Sequence, residues 1–206
     1  MKFLIFADLH NFEKKMLEKI EEEFDIIMLL GDINSSTIIS ILNKYPDKPV
    51  YGVYGNHDNE YLYEAVNKLL IVEREMAQEP FLYSVNNLNL SLVKVDNASF
   101  AGLQGAVKYN EASIGYTQEE AMGLIIPAAD ILFSHETGYQ FRKNKRGVSH
   151  EGYKAISEYV KKHRPKYHIF GHHHIDTRFK KRKTICYGVF GCSLFDFYTG
   201  EMKKIF

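Results

Sequence analysis

KFLIFADLH, residues 2–10, is an almost unbroken apolar run that ends at a carboxylate, Asp8, and a histidine, His10. A short run with no polar alternation predicts a strand buried on both faces, the kind found in parallel sheets covered by helices. The same phrase recurs along the chain. Residues 11–24 carry Phe12, Met16, Leu17, Ile20 and Phe24 at helical spacing among Glu and Lys, which predicts an amphipathic helix. Residues 25–30 form a second apolar run ending at Gly31-Asp32, followed by a predicted helix capped by Ser35 or Ser36 and reaching about Asn43. Residues 49–54 lead into Gly55-Asn56-His57-Asp58 and a predicted helix over 61–71. Residues 129–133 lead into Ser134-His135, and residues 167–170 into Gly171-His172-His173-His174. Strands alternating with helices in this way predict βαβ units and an α/β fold.

Between these units, residues 81–85 and 88–95 flank Asn86-Asn87 and read as a hairpin. Residues 184–206 read as further strand with turns at Gly191 and Thr199-Gly200, so the sheet is expected to be mixed. No repeat or Pro/Gly/Ser-rich linker interrupts the 206 residues, and one domain spanning 1–206 is expected. Twenty-six basic residues balance 26 acidic ones, so no global field gathers nucleic acid or an anionic membrane. Apolar runs too short for a signal peptide or a membrane span predict a cytoplasmic protein without a membrane partner. Cys186 and Cys192 lack CxxC spacing and are expected to be packing thiols.

In open α/β sheets ligands sit outside the carboxyl ends of the strands. Five such ends here supply Asp8 and His10, Asp32, Asn56 and His57, His135, and His172 with His174, an inventory of metal-ligand types. If the backbone stays extended, the i, i+2 spacing of Asp8 and His10 turns both side chains to one side, and likewise His172 and His174, with His173 opposite. His150, His163 and His168 fall outside these blocks and are read as structural. Two basic clusters, residues 142–146 and 178–183, are read as a solvated loop and an exposed edge strand.

The ordered blocks Asp8-x-His10, Gly31-Asp32, Gly55-Asn56-His57-Asp58, His135 and Gly171-His172-x-His174 resemble the calcineurin-like metallophosphoesterases. The resemblance implies a four-layer αββα sandwich of two mixed sheets flanked by helices, holding two divalent metal ions at one rim. Carried over, Asp8, His10, Asp32 and His174 would hold one ion, and Asp32, Asn56, His135 and His172 the other, with Asp32 as the bridge. Two dications about 3.5–4 Å apart repel, and a shared carboxylate with a bridging hydroxide offsets that repulsion. The mixed oxygen and nitrogen shell suits Mn²⁺ (manganese), Fe or Zn²⁺ and leaves the choice open. The implied reaction is attack of the metal-bridging hydroxide on a phosphodiester, or a phosphomonoester, with His57 as the general acid for the leaving oxygen. Asp58 has two readings, orienting His57 or capping the following helix. The implied partner is a phosphate-ester substrate, nucleotides among the candidates. A nuclease acting on single-stranded nucleic acid is the alternative, and a non-catalytic scaffold of the same fold is a more remote one. Gly31-Asp32-Ile33-Asn34 and Gly55-Asn56-His57-Asp58 depart from the GDxVDRG and GNHE blocks of the protein Ser/Thr phosphatases, which counts against that subtype.

Overall fold

The computed structural model describes residues 1–10, 12–77, 84–141 and 150–206. The opening run forms β1 (Lys2–Ala7), and its side chains split between two cores. Phe3, Ile5 and Ala7 face one buried cluster and Leu4 and Phe6 the other, so the run lacks polar alternation because neither face meets water. β2 (Ile26–Leu29) repeats the division and pairs with β1 in parallel, and β3 (Val50–Gly52) pairs with β2 in parallel. The helices α1 (Ser35–Lys44) and α2 (Leu62–Ala77) cover the outer face, where Ile38, Ile41, Leu42 and Val66 pack on Leu4, Phe6, Ile27 and Leu29.

β4 (Val85–Asn87) extends this sheet on one side. On the other side the antiparallel strands β13 (Gly191–Asp196) and β14 (Met202–Lys204) complete the order β14-β13-β1-β2-β3-β4. A second sheet contains β5 (Leu92–Val95), β6 (Ala98–Leu103), β9 (Ile131–Ser134), β10 (Tyr167–Phe170), β11 (Thr177–Lys181) and β12 (Thr184–Gly188). Its order is β11-β12-β10-β9-β6-β5, parallel in the middle and antiparallel at both edges. β7 (Ala106–Val107) and β8 (Gly115–Tyr116) form a small separate pair. Phe100, Phe133 and Ile169 pack on Phe3, Ile5 and Met28 between the two large sheets. α3 (Gln118–Gly123) and α4 (Lys154–His163) cover the far face through Ala121, Ile156, Tyr159 and Val160. The result is the four-layer αββα sandwich, with two mixed sheets. Parallel pairing brings Ala7, Leu29 and Gly52, and likewise Leu103, Ser134 and Phe170, to one rim.

Three local expectations are corrected. The segment after β1 holds a 3₁₀ helix over Lys14–Lys19 in place of a long amphipathic helix. It has no side-chain N-cap, and Glu21, Glu22 and Glu23 follow, where negative charge opposes the carboxyl end of a helix dipole. α1 is capped by Asn34, whose Oδ1 accepts from Thr37 N at 2.9 Å, so neither Ser35 nor Ser36 is its cap. β4 and β5 do not form a hairpin, because each pairs with a different sheet. The 81–83 part of that expectation lies outside the described residues, as does the 142–146 cluster. The 178–183 cluster runs along edge strand β11 and the turn after it. Among the described residues no helix is long and apolar enough to cross a membrane.

Candidate metal centre

The turns that follow the strands at the rim carry the polar residues, and they differ from the extended geometry read from the i, i+2 spacing. Asp8, Asp32, His172 and His174 all adopt left-handed backbone, with φ of 54°, 54°, 63° and 51°. That conformation is costly for residues with a Cβ and concentrates at functional sites. Its consequence is that His172 and His174 turn to different places. His174 joins Asp8 and His10 in one group, and His172 joins Asp32 and His135 in another, with the potential ligand atoms within 4.8 Å of one another in each group.

The turns are held by one another. Gly31 has φ 86°, and a Cβ there would come within 2.2 Å of Gly55 N, so the GD and GNHD turns lie backbone against backbone. Asp58 locks the same junction: its carboxylate accepts from Gly55 N at 2.8 Å, Asp32 N at 3.0 Å and Ile33 N at 3.2 Å. α2 begins at Leu62, so Asp58 does not cap it. Burial first, and then the Asp32 charge, push the Asp58 carboxyl up to about 6 against the pull of these amides.

Asp8 and Asp32 share one arrangement. Asp8 Oδ2 accepts from His172 N at 2.8 Å, and Asp32 Oδ1 accepts from His57 N at 2.9 Å. The other oxygens, Asp8 Oδ1 and Asp32 Oδ2, are buried without a hydrogen-bond donor. They face imidazoles at 3.6 Å, His174 Nε2 for Asp8 and His135 Nε2 for Asp32. A buried carboxylate oxygen without a donor costs free energy unless a cation compensates it, and each group contains one. His135 Nδ1–H donates to Leu30 O at 2.7 Å, which turns Nε2 toward Asp32 and toward Asn56 Oδ1 at 2.9 Å. His10 and His174 approach through their Nε2 atoms at 3.1 Å. Burial opposes ionisation of Asp8, but His174 and the other nearby imidazoles hold its carboxyl below the ordinary range. Burial likewise opposes charging of His135, and Asp32 and Asp8 outweigh it and raise the imidazole.

All seven sequence-derived ligand positions therefore stand at this rim. Asp8, Asp32, Asn56, His135 and His172 are buried, whereas His10 and His174 are exposed. His57 is exposed beside them, anchored through its backbone. Three further residues belong to the neighbourhood. His150 Nδ1 lies 3.0 Å from His172 Nε2. His173 Nε2 donates to Glu136 Oε1 at 2.9 Å, and Glu136 Oε2 reaches within 3.5 Å of His172 Nε2. The signal for Glu136 and His173 was present in the sequence as a carboxylate directly after His135 and a histidine on the opposite side from its neighbours. On the His10 side a recess of about 520 Å³ opens beside Asp8, His10 and His174, walled by Phe12, Met16, Phe190 and Phe206.

The sequence matches the family model of the calcineurin-like phosphoesterase superfamily domain over residues 1–189. The chain belongs to that superfamily. Members of this superfamily typically bind divalent metals, and the two groups at the rim are candidate sites for them. Among solved structures, TT1561 of Thermus thermophilus matches at 14% identity, covering 98% of this chain and 96% of that one, with a TM-score of 0.65. A structure described as a novel archaeal phosphodiesterase matches at 14% identity, covering 98% of both chains, with a TM-score of 0.56. Vps29 from Entamoeba histolytica, solved in complex with Zn²⁺, matches at 12% identity over 98% of this chain and 89% of that one, with a TM-score of 0.52. At these identities the likeness is one of fold. A search of curated proteins finds no match.

Proposed function

We propose that this calcineurin-like chain, acting as one domain over residues 1–206, is a metal-dependent phosphoesterase with a dinuclear site, hydrolysing phosphodiesters in preference to monoesters. The observation that carries the reading is the pair of buried, donorless carboxylate oxygens, Asp8 Oδ1 and Asp32 Oδ2, each set in its own group of imidazoles. Asp8, His10, Asp32 and His174 would hold one divalent ion, and Asp32, Asn56, His135 and His172 the other. The donor set of carboxylate, amide and imidazole fits Mn²⁺, Fe or Zn²⁺. When bound, such a pair supplies water ionised near neutral pH and positive charge for the phosphoryl oxygens.

The chain's own residues supply the rest. The exposed His57 stands on the turn held by Asp32 and Asp58, where its ring can give a proton to the departing oxygen. Asp58 serves His57 by fixing that turn. The apolar recess beside His10 gives the organic part of the ester a place away from water, which suits an ester of moderate size such as a nucleotide. The experiment is a panel of chelator-stripped protein reloaded with Mn²⁺, Fe²⁺ or Zn²⁺. The substrates are bis-p-nitrophenyl phosphate, p-nitrophenyl phosphate, cyclic nucleotides and single-stranded oligonucleotides. Metal-restored hydrolysis of the diester above the monoester is expected. Cleavage confined to oligonucleotides would replace the reading with a nuclease, and inactivity with every metal would leave a scaffold.

A further inference from the structure

Glu136 is fully buried and directly follows His135 at the end of β9. One of its oxygens, Oε1, accepts from His173 Nε2 at 2.9 Å and from Thr137 N at 2.8 Å. The other, Oε2, has no donor of its own and lies 3.5 Å from His172 Nε2. A buried ion needs a partner, and His173 supplies it. That pairing leaves the second oxygen pointing at a residue the proposed function makes a metal ligand.

The chemistry of the three rings gives this arrangement a direction. His150 Nδ1, 3.0 Å from the same His172 nitrogen, can donate or accept according to its tautomer. A carboxylate can only accept. A proton on His172 Nε2 would face that carboxylate favourably, and the tautomer that carries it has its lone pair on Nδ1. We propose that Glu136, anchored by His173, is the positioning residue that holds His172 in its Nε2–H form and presents Nδ1 to the Asp32, Asn56 and His135 side. Partners of this kind behind a ligating histidine are worth roughly 10- to 100-fold in metal affinity. Glu136 touches neither substrate nor reacting atoms and acts only through His172. The middle histidine of Gly171-His172-His173-His174 thereby gains a role, since it anchors the carboxylate that orients the first.

This inference rests on the two-ion reading above, and the test separates the two. Metal-free wild type titrated with Mn²⁺ in a calorimeter should take up two equivalents. Glu136→Gln should keep one equivalent at wild-type affinity and weaken the other about 10- to 100-fold. In a His172→Asn background the same change should cause no additional loss, because the residue it acts through is gone. A purely structural role would instead weaken both equivalents, or add its loss in full to that of His172→Asn, and either result overturns the proposal. Should Glu136→Gln fail to fold, His173→Gln, which leaves the carboxylate in place but takes away its imidazole partner, should lower the same equivalent. Nitrogen-15 NMR of metal-free wild type gives a reading that needs no variant. His172 is expected as the Nε2–H tautomer, and an Nδ1–H tautomer would overturn the proposal. Wild type that binds no Mn²⁺ would defeat the dinuclear reading, and this inference with it. Two equivalents at the same affinities in wild type and in Glu136→Gln would defeat the inference alone.

Discussion

Asp8 and Asp32 each accept from a backbone amide of another turn through one oxygen and hold the other, buried and without a donor, at the candidate metal centre. This division of labour makes the candidate ligand positions legible in sequence: few residue types can lock a loop and offer a donor to a cation at once. Glu136 and His173 were less legible. Whether Glu136 faces His172 or solvent depends on the turns that follow β9 and β10, and the left-handed φ of His172 is not written in residue order. His150, read as a structural loop residue, lies against His172 for the same reason. At this scale the test is His57. His57→Ala should retain metal content and lose about 10²- to 10⁴-fold in turnover on an alkyl phosphodiester, with a much smaller loss on a p-nitrophenyl ester, whose leaving group needs no proton. Equal losses on both esters would remove the acid role.

Among the elements, β1, β2 and β10 were legible because strands buried on both faces carry few polar residues, and this pattern survives any choice of neighbour. β4 and β5 were not, since strand propensity does not say which sheet receives a strand. β10 also holds a pH-sensitive group at its centre. Ser134 Oγ–H donates to Glu136 O at 2.6 Å, so His168 Nε2 must be the donor across the 2.8 Å contact to Ser134 Oγ. Burial pushes the His168 imidazole down to about 3, a nearby carboxylate opposing only in part. Because the folded value lies below the unfolded one, this contribution to stability is complete above about pH 6.5 and is lost as the pH falls from there toward 3. Between pH 6.5 and 5 the loss should be about 2 kcal/mol. Urea unfolding at both pH values measures it, and His168→Gln, which keeps an amide donor for Ser134, should flatten the difference. An unchanged slope in that variant would assign the acid sensitivity elsewhere.

For the molecule as a whole, the sandwich brings turns from both sheets within hydrogen-bonding distance. His135 Nδ1 reaches Leu30 O, and His172 N reaches Asp8 across the same seam. The layered architecture and the convergence of the five blocks were legible, because parallel strands of an α/β fold put their carboxyl ends on one side. The edge position of residues 178–183 was legible as well, since a lysine-rich strand suits an unpaired sheet edge and these residues run along edge strand β11 and the turn after it. The proposed function depends on Asp32 joining two metal sites. Its most direct test is the number of Mn²⁺ ions per chain, determined by equilibrium dialysis and elemental analysis, in wild type and in Asp32→Ala. Two ions in wild type, with both sites weakened at least tenfold in the variant, are expected; an Asp32→Ala chain that still binds two ions at wild-type affinity would contradict the account.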